Sequence, residues 1–127
     1  MKFEDIIKKE NEINELGHCT RNNIIEHVDI DVIAHFGNCV CFEIYCQNIV
    51  PFSHYNNTKS IGYLIKAFTE LFDLSREDGI RISEFKNIPC RLVFEHDGGW
   101  GDKAIGIGHF IKNKFVLFED FVKIDEL

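Results

Sequence analysis

The stretch Ile61-Gly62-Tyr63-Leu64-Ile65-Lys66-Ala67-Phe68-Thr69-Glu70-Leu71-Phe72 decides the fold class. Ile61, Leu64, Ile65, Phe68, Leu71 and Phe72 recur at i, i+3, i+4, i+7, i+10 and i+11, the spacing of one helical face. The reading is a helix over residues 59–74, N-capped by Thr58 or Ser60. Its apolar stripe needs a surface to cover it, and the sequence on both sides supplies strands.

Upstream, the period changes to two. Val28, Ile30 and Val32 alternate with Asp29, Asp31 and Ile33, and Val40, Phe42 and Ile44 alternate with Cys41, Glu43 and Tyr45. Gly37-Asn38 reads as the tight turn between them, so residues 24–36 and 39–47 form a hairpin. Residues 48–58, with Asn48, Pro51, Ser53, Asn56 and Asn57, read as a loop. Before the hairpin, Phe3, Ile6, Ile7, Ile13 and Leu16 share one face of an amphipathic helix over 3–16, and Gly17 is its C′ residue.

Downstream, Ser75-Arg76-Glu77-Asp78 is a capping sequence ended by Gly79, and residues 83–87 make a short turn. Pro89 breaks the chain before a strand at 90–96. Residues 97–102 are a loop. Residues 104–111 return as a strand, with Ile105, Ile107, His109 and Ile111 on one side and Gly106 and Gly108 on the other. Lys112-Asn113-Lys114 turns into a last short strand at 115–118, and 119–124 is a frayed turn or tail. The order α-ββ-α-βββ defines an α+β fold: one antiparallel sheet of about five strands, with the N-terminal and central helices packed on one face. One domain spans 1–127, with 1–17 the amphipathic helix and 23–124 the core. At 127 residues, folding removes about two-thirds of a roughly 21,000 Å² unfolded surface from water. That suffices for a core without metal or disulfide staples.

Composition narrows the function. Apolar residues are 45% and aromatic residues 13%, with twelve Phe, which excludes a disordered chain. No apolar run approaches a membrane span of about 18 residues, and Met1–Glu10 is charged where a signal peptide is apolar. Fourteen Lys and Arg against 21 Asp and Glu give −7. Nucleic-acid binding needs a basic stripe, and none exists, so no direct DNA or RNA binding is expected. Residues 1–50 hold nine acids and four bases. That excess serves solubility or docks a basic partner. The abundance of Ile, Asn and Lys suits an AT-rich genome.

Five Cys (Cys19, Cys39, Cys41, Cys46, Cys90) are an odd number without an export signal. They read as reduced thiols of a cytosolic protein. Cys39-x-Cys41 with His35, and His18-Cys19, lack the paired hooks of structural zinc, so no metal and no cofactor are expected. Gly106-x-Gly108 lacks the third Gly and the following helix of a dinucleotide fingerprint, and close packing is the stronger reading. None of the six His can be paired into a catalytic dyad from the sequence.

The candidate contact residues are few. Gly98-Gly99-Trp100-Gly101-Asp102 places the only Trp in a Gly-rich tip, the setting of an interface anchor or stacking platform. Gly99 and Asp102 go with it. Arg91, one of four Arg, suits an anionic ligand or a carboxylate. His109 follows the two strand glycines. Glu10 and Glu12 are the acids of the first helix placed to meet a basic surface.

From about Asn23 to Phe121 the chain resembles a loose group of small phage and prophage proteins. The resemblance runs through Val28-Asp29-Ile30-Asp31, Phe42-Glu43-Ile44, Ile61-Gly62-Tyr63-Leu64-Ile65 and Phe85-Lys86-Asn87-Ile88-Pro89-Cys90-Arg91. It continues through the Gly-Trp loop, Ile105-Gly106-Ile107-Gly108-His109-Phe110 and Lys114-Phe115. In those relatives a Gly-rich stretch follows the hairpin; here Ile49-Val50-Pro51-Phe52-Ser53-His54-Tyr55 replaces it. The resemblance carries over no catalytic residue. It implies a counter-defence protein, anti-CRISPR-like, that inhibits a bacterial immune factor by stoichiometric binding in the host cytosol. The alternatives are a sponge for a small nucleotide signal, with a pocket built from Trp100, Arg91 and His109 in a homodimer, and a small hydrolase.

Overall fold

The structure, a computed structural model, describes residues 1–33, 39–74, 79 and 81–125. Six strands of the described residues form one antiparallel sheet: β1 (Cys19–Ile33), β2 (Cys39–Cys46), β3 (Ile49–Asn57), β4 (Ile88–Phe94), β5 (Ala104–His109) and β6 (Phe115–Leu117). Their order across the sheet is β3-β2-β1-β4-β5-β6. Among the described residues four helices complete the α+β fold: α1 (Phe3–Ile6), α2 (Glu10–Glu15), α3 (Thr58–Leu71) and α4 (Phe118–Phe121). A 3-10 turn spans Ile82–Phe85, where the short turn is expected.

Helix α3 is the central helix that the stripe predicts. Ile61, Leu64, Phe68, Leu71 and Phe72 are buried, while Ile65 is half-buried. The cap is one residue earlier than expected: the Asn57 side chain accepts from the Ser60 N–H at 2.9 Å. At the other end the Leu74 N–H reaches the Thr69 carbonyl at 2.8 Å and the Asp73 N–H reaches Glu70 at 3.2 Å. This is a Schellman ending, with Asp73 at φ 57° where Gly is usual. The Phe68 ring sits among Phe42, Phe72 and Phe85, with centroids 4.8–5.8 Å apart.

The N-terminal helix is corrected. It is two pieces, because the Lys8 backbone between them pairs with Phe115 of β6, N to O at 2.8 and 2.9 Å in the two directions. The chain thus wraps the β6 edge. Phe3 and Ile6 join the large core on the inner face, whereas Ile13 of α2 joins Val93, Phe115 and Leu117 on the outer face. Helices therefore cover both faces. Gly17, at φ 82°, ends α2 as expected.

The loop expected at 48–58 is strand β3. Asn48 adopts φ 64°, closing a two-residue turn after β2, and Ile44 pairs with Phe52. Polar turn-forming residues at an exposed sheet edge hid the strand. Strand β1 begins at Cys19, through the polar run Thr20-Arg21-Asn22-Asn23, because it pairs with β4 as well as β2. Pro89 lies inside β4, opposite Ile24, whose N–H is satisfied by the Asn23 side chain at 2.6 Å. Strand β5 ends at His109. An irregularity opposite Val93 and Phe94 turns Ile105 toward the outer-face cluster, away from the side of Ile107. The tail is not frayed: Phe121 and Ile124 are buried, and Asp125 pairs with the Met1 amino group. The Gly37-Asn38 turn, His35 and Ser75-Arg76-Glu77-Asp78 lie outside the described residues.

Gly106 and Gly108 serve close packing. A Cβ at Gly108 would collide with the Phe115 ring, and one at Gly106 would lie 2.5 Å from the Val116 carbonyl oxygen. The bare strand face lets Phe115 lie flat over β5.

Candidate functional site

The candidate residues separate onto two ends of the β4–β5 hairpin. At the open end, after β4, the chain makes the 97–102 loop. Asp102 braces it: one carboxylate oxygen accepts from the His96 and Gly98 N–H groups at 3.0 and 2.8 Å, the other from Lys103 at 2.9 Å. Desolvation pushes the Asp102 pKa up, but these N–H donors outweigh it and the net shift is downward. The Gly99 N–H bonds the Asp97 side chain at 2.9 Å. Arg21 reaches the Asp97 carbonyl at 2.7 Å, closing the loop from β1. On this stiffened base Trp100 is fully exposed, at 106% of its reference area. The Gly98, Gly99 and Asp102 N–H groups are satisfied within the loop and the Asp97 carbonyl from β1, while its one large apolar ring touches water.

Two depressions adjoin the loop. A shallow hollow of about 410 Å³ contains Trp100, His96 and Asp102. A deeper cleft of about 540 Å³ shares Glu95 and Lys103 with it and continues to Phe52, His54, Phe118 and Glu119. This cleft exists because the sheet coils. Phe52 on one edge strand meets Phe118, just beyond the other edge, at 4.9 Å. Burial lowers the His54 pKa. His18 at the cleft wall donates from Nδ1 to the Glu95 carbonyl at 2.9 Å when that nitrogen carries the proton. Glu95, His96 and Asp102 bring ligand atoms within 4.8 Å of one another. The Asp102 oxygens are already engaged by three N–H groups, so the trio is a poor metal cradle.

At the closed end Arg91 and His109 are structural. Arg91 donates to the His109 carbonyl at 2.9 Å and the Lys112 carbonyl at 2.8 Å. It lies 3.6 Å from Glu10 and 4.4 Å over the Phe115 ring. It therefore pins α2 and the β5–β6 turn to the outer face. The His109 ring faces inward. Its Nδ1 accepts from the Ile111 and Lys112 N–H groups at 3.1 and 3.0 Å, which leaves the proton on Nε2, 3.3 Å from Asp73. Both ring nitrogens are thus occupied. Burial lowers the His109 pKa against the opposing pull of Asp73. Asp73 also binds Lys112 at 2.7 Å and Lys114 at 3.0 Å. The Lys112 bond leads in holding the Asp73 carboxyl down at about 2.

Within the single chain Trp100, Arg91 and His109 therefore do not share a pocket. Arg91 and His109 point to opposite faces of the sheet, and Trp100 is at the far end of the hairpin. Glu10 is paired with Arg91, while Glu12 is exposed on α2. Sequence reasoning missed the cleft, because its Phe52 and His54 lie in the stretch read as loop. It also missed Asp73, whose role comes from its left-handed backbone and two distant lysines. Comparison with known proteins found no matching family model, no curated relative and no matching solved structure.

Proposed function

We propose that this protein acts by binding another protein stoichiometrically, through the Trp100 tip and the adjoining cleft. The exposed Trp100 ring on a braced loop carries the reading. A mobile tip would lose roughly 1–2 kcal/mol of backbone entropy per residue on docking. The Asp102 bonds remove part of that cost in advance, as in an interface anchor. His109, suited by residue type to proton transfer, and Arg91, suited to holding an anion, are both engaged in holding the fold, which favours binding over catalysis.

The biological setting we propose is counter-defence: a phage- or prophage-encoded, anti-CRISPR-like inhibitor of a bacterial immune protein, working in the host cytosol. The −7 charge fits a target whose surface handles nucleic acid and is basic. The test is an infection assay in bacteria carrying an active defence system. Expression of the protein should restore plaque formation, and Trp100→Ala should abolish that rescue while the folded protein still accumulates. Undiminished rescue by Trp100→Ala overturns the contact assignment. Failure of the wild type across a panel of defence systems overturns the counter-defence setting.

A further inference from the structure

We propose that the free edge of β3 is a second docking edge, built to accept an extended segment of a partner protein that alternates apolar and basic side chains. The two edges of the sheet are treated differently. The β6 edge is three residues long and is closed by the Lys8 backbone through two hydrogen bonds. The β3 edge is nine residues long, and among the described residues no backbone group from another segment pairs with its outer side.

Natural sheets blunt such edges with charge, shortness or proline. The β3 sequence Ile49-Val50-Pro51-Phe52-Ser53-His54-Tyr55-Asn56-Asn57 contains no Asp, Glu, Lys or Arg. Pro51 alone interrupts its donors, and Val50 and Tyr55 are exposed. A long uncharged edge beside a cleft is a template for strand addition.

The two sides of the edge specify the occupant. On the inner side, the cleft is lined by Phe52, Phe118 and Val122, with His54, Lys103 and Glu119 among them, and its apolar part takes apolar side chains. On the outer side, Ser53 lies opposite Glu43 of β2, and Glu43 lies directly opposite Asp29 of β1. Like charges placed opposite each other on one face destabilise a sheet. Asp31 extends the acidic face, and the His27 ring lies 3.7 Å from Asp29. An added strand lies about 4.8 Å from β3. The small Ser53 then leaves a Lys or Arg stem room to reach Glu43. A second copy of this chain would bring −7 against −7 and acids against acids, so charge complementarity selects a basic foreign segment.

This inference shares the cleft with the proposed function but uses none of the 97–102 loop, so its test is separate from that of Trp100. The probe is a nine-residue peptide alternating Val and Lys, compared with one alternating Val and Glu, each titrated into isotope-labelled protein. The Lys peptide should shift the amide signals of residues 49–57, slow their hydrogen exchange, and bind more weakly as salt rises. Its affinity should exceed that of the Glu peptide by about tenfold or more. Ser53→Lys should weaken it by about tenfold, Ser53→Ala should preserve it, and Trp100→Ala should leave it unchanged. Equal binding of both peptides, shifts confined to other segments, or a concentration-dependent dimer through β3 in place of peptide binding would each overturn the proposal.

Discussion

The two ends of the β4–β5 hairpin carry similar residue types and use them in opposite ways. At the closed end, Arg91, His109, Asp73, Lys112 and Lys114 turn their polar atoms on one another and on backbone carbonyls. At the open end, Asp102 and Asp97 satisfy the loop's own N–H groups, and Trp100 is left facing water. Chemistry-bearing residues mark both ends in the sequence, yet the closed end spends its polar groups on the fold, with Phe110 and Ile111 left exposed in the turn, whereas the open end leaves the larger Trp100 ring wholly in water. A residue type suited to binding becomes a binding candidate only when the fold does not consume it.

The largest test of the contrast is Arg91→Ala. It removes two carbonyl bonds, the Glu10 pair and the cover over Phe115, so urea melts should show a loss of about 2–4 kcal/mol. A loss below about 0.5 kcal/mol would return Arg91 to the pool of ligand-binding candidates. Gly108→Ala should cost about 1–3 kcal/mol, since the new methyl displaces the Phe115 ring that Arg91 covers. A neutral result in the same melts would show that the ring has another place to go.

The closed end also has a pH signature. The His109 pKa is lowered on folding, so below the ordinary His value of 6.5 the unfolded chain binds more protons than the folded one. The stabilisation from neutral His109 is therefore complete above about pH 6.5 and is lost as pH falls below it. Asp73 acts lower: its stabilisation is complete above its ordinary value of 3.8 and is lost as pH falls toward about 2. Asp73→Asn should remove the lower dependence. His109→Gln should flatten the upper one in part, leaving the share of His54, also lowered by burial. An unchanged profile in both variants would contradict the wiring of the node.

The helix stripe, the α+β order and the Trp100 tip were legible because each is local: a period of 3.6, a period of two, three glycines around one Trp. Strand β3 was not, because Asn48, Pro51 and Ser53 carry turn chemistry and the pairing with β2 outweighs it. The break of the first helix was not legible either. It comes from Lys8 pairing with Phe115, more than a hundred residues away. The consumption of Arg91 and His109 is likewise long-range: their partners Glu10, Lys112 and Asp73 come together only when α2 and α3 pack on opposite faces of one hairpin.

The smallest expected change in stability belongs to Trp100→Ala, within about 0.5 kcal/mol. The sole Trp also offers the most direct measurement of the account. In the folded protein Trp100 should emit at the wavelength of Trp in water, and acrylamide should quench it as readily as in the urea-unfolded chain. A blue-shifted, quencher-protected native emission would place the ring in a packed environment and contradict the claim that this end of the hairpin is left free for a partner.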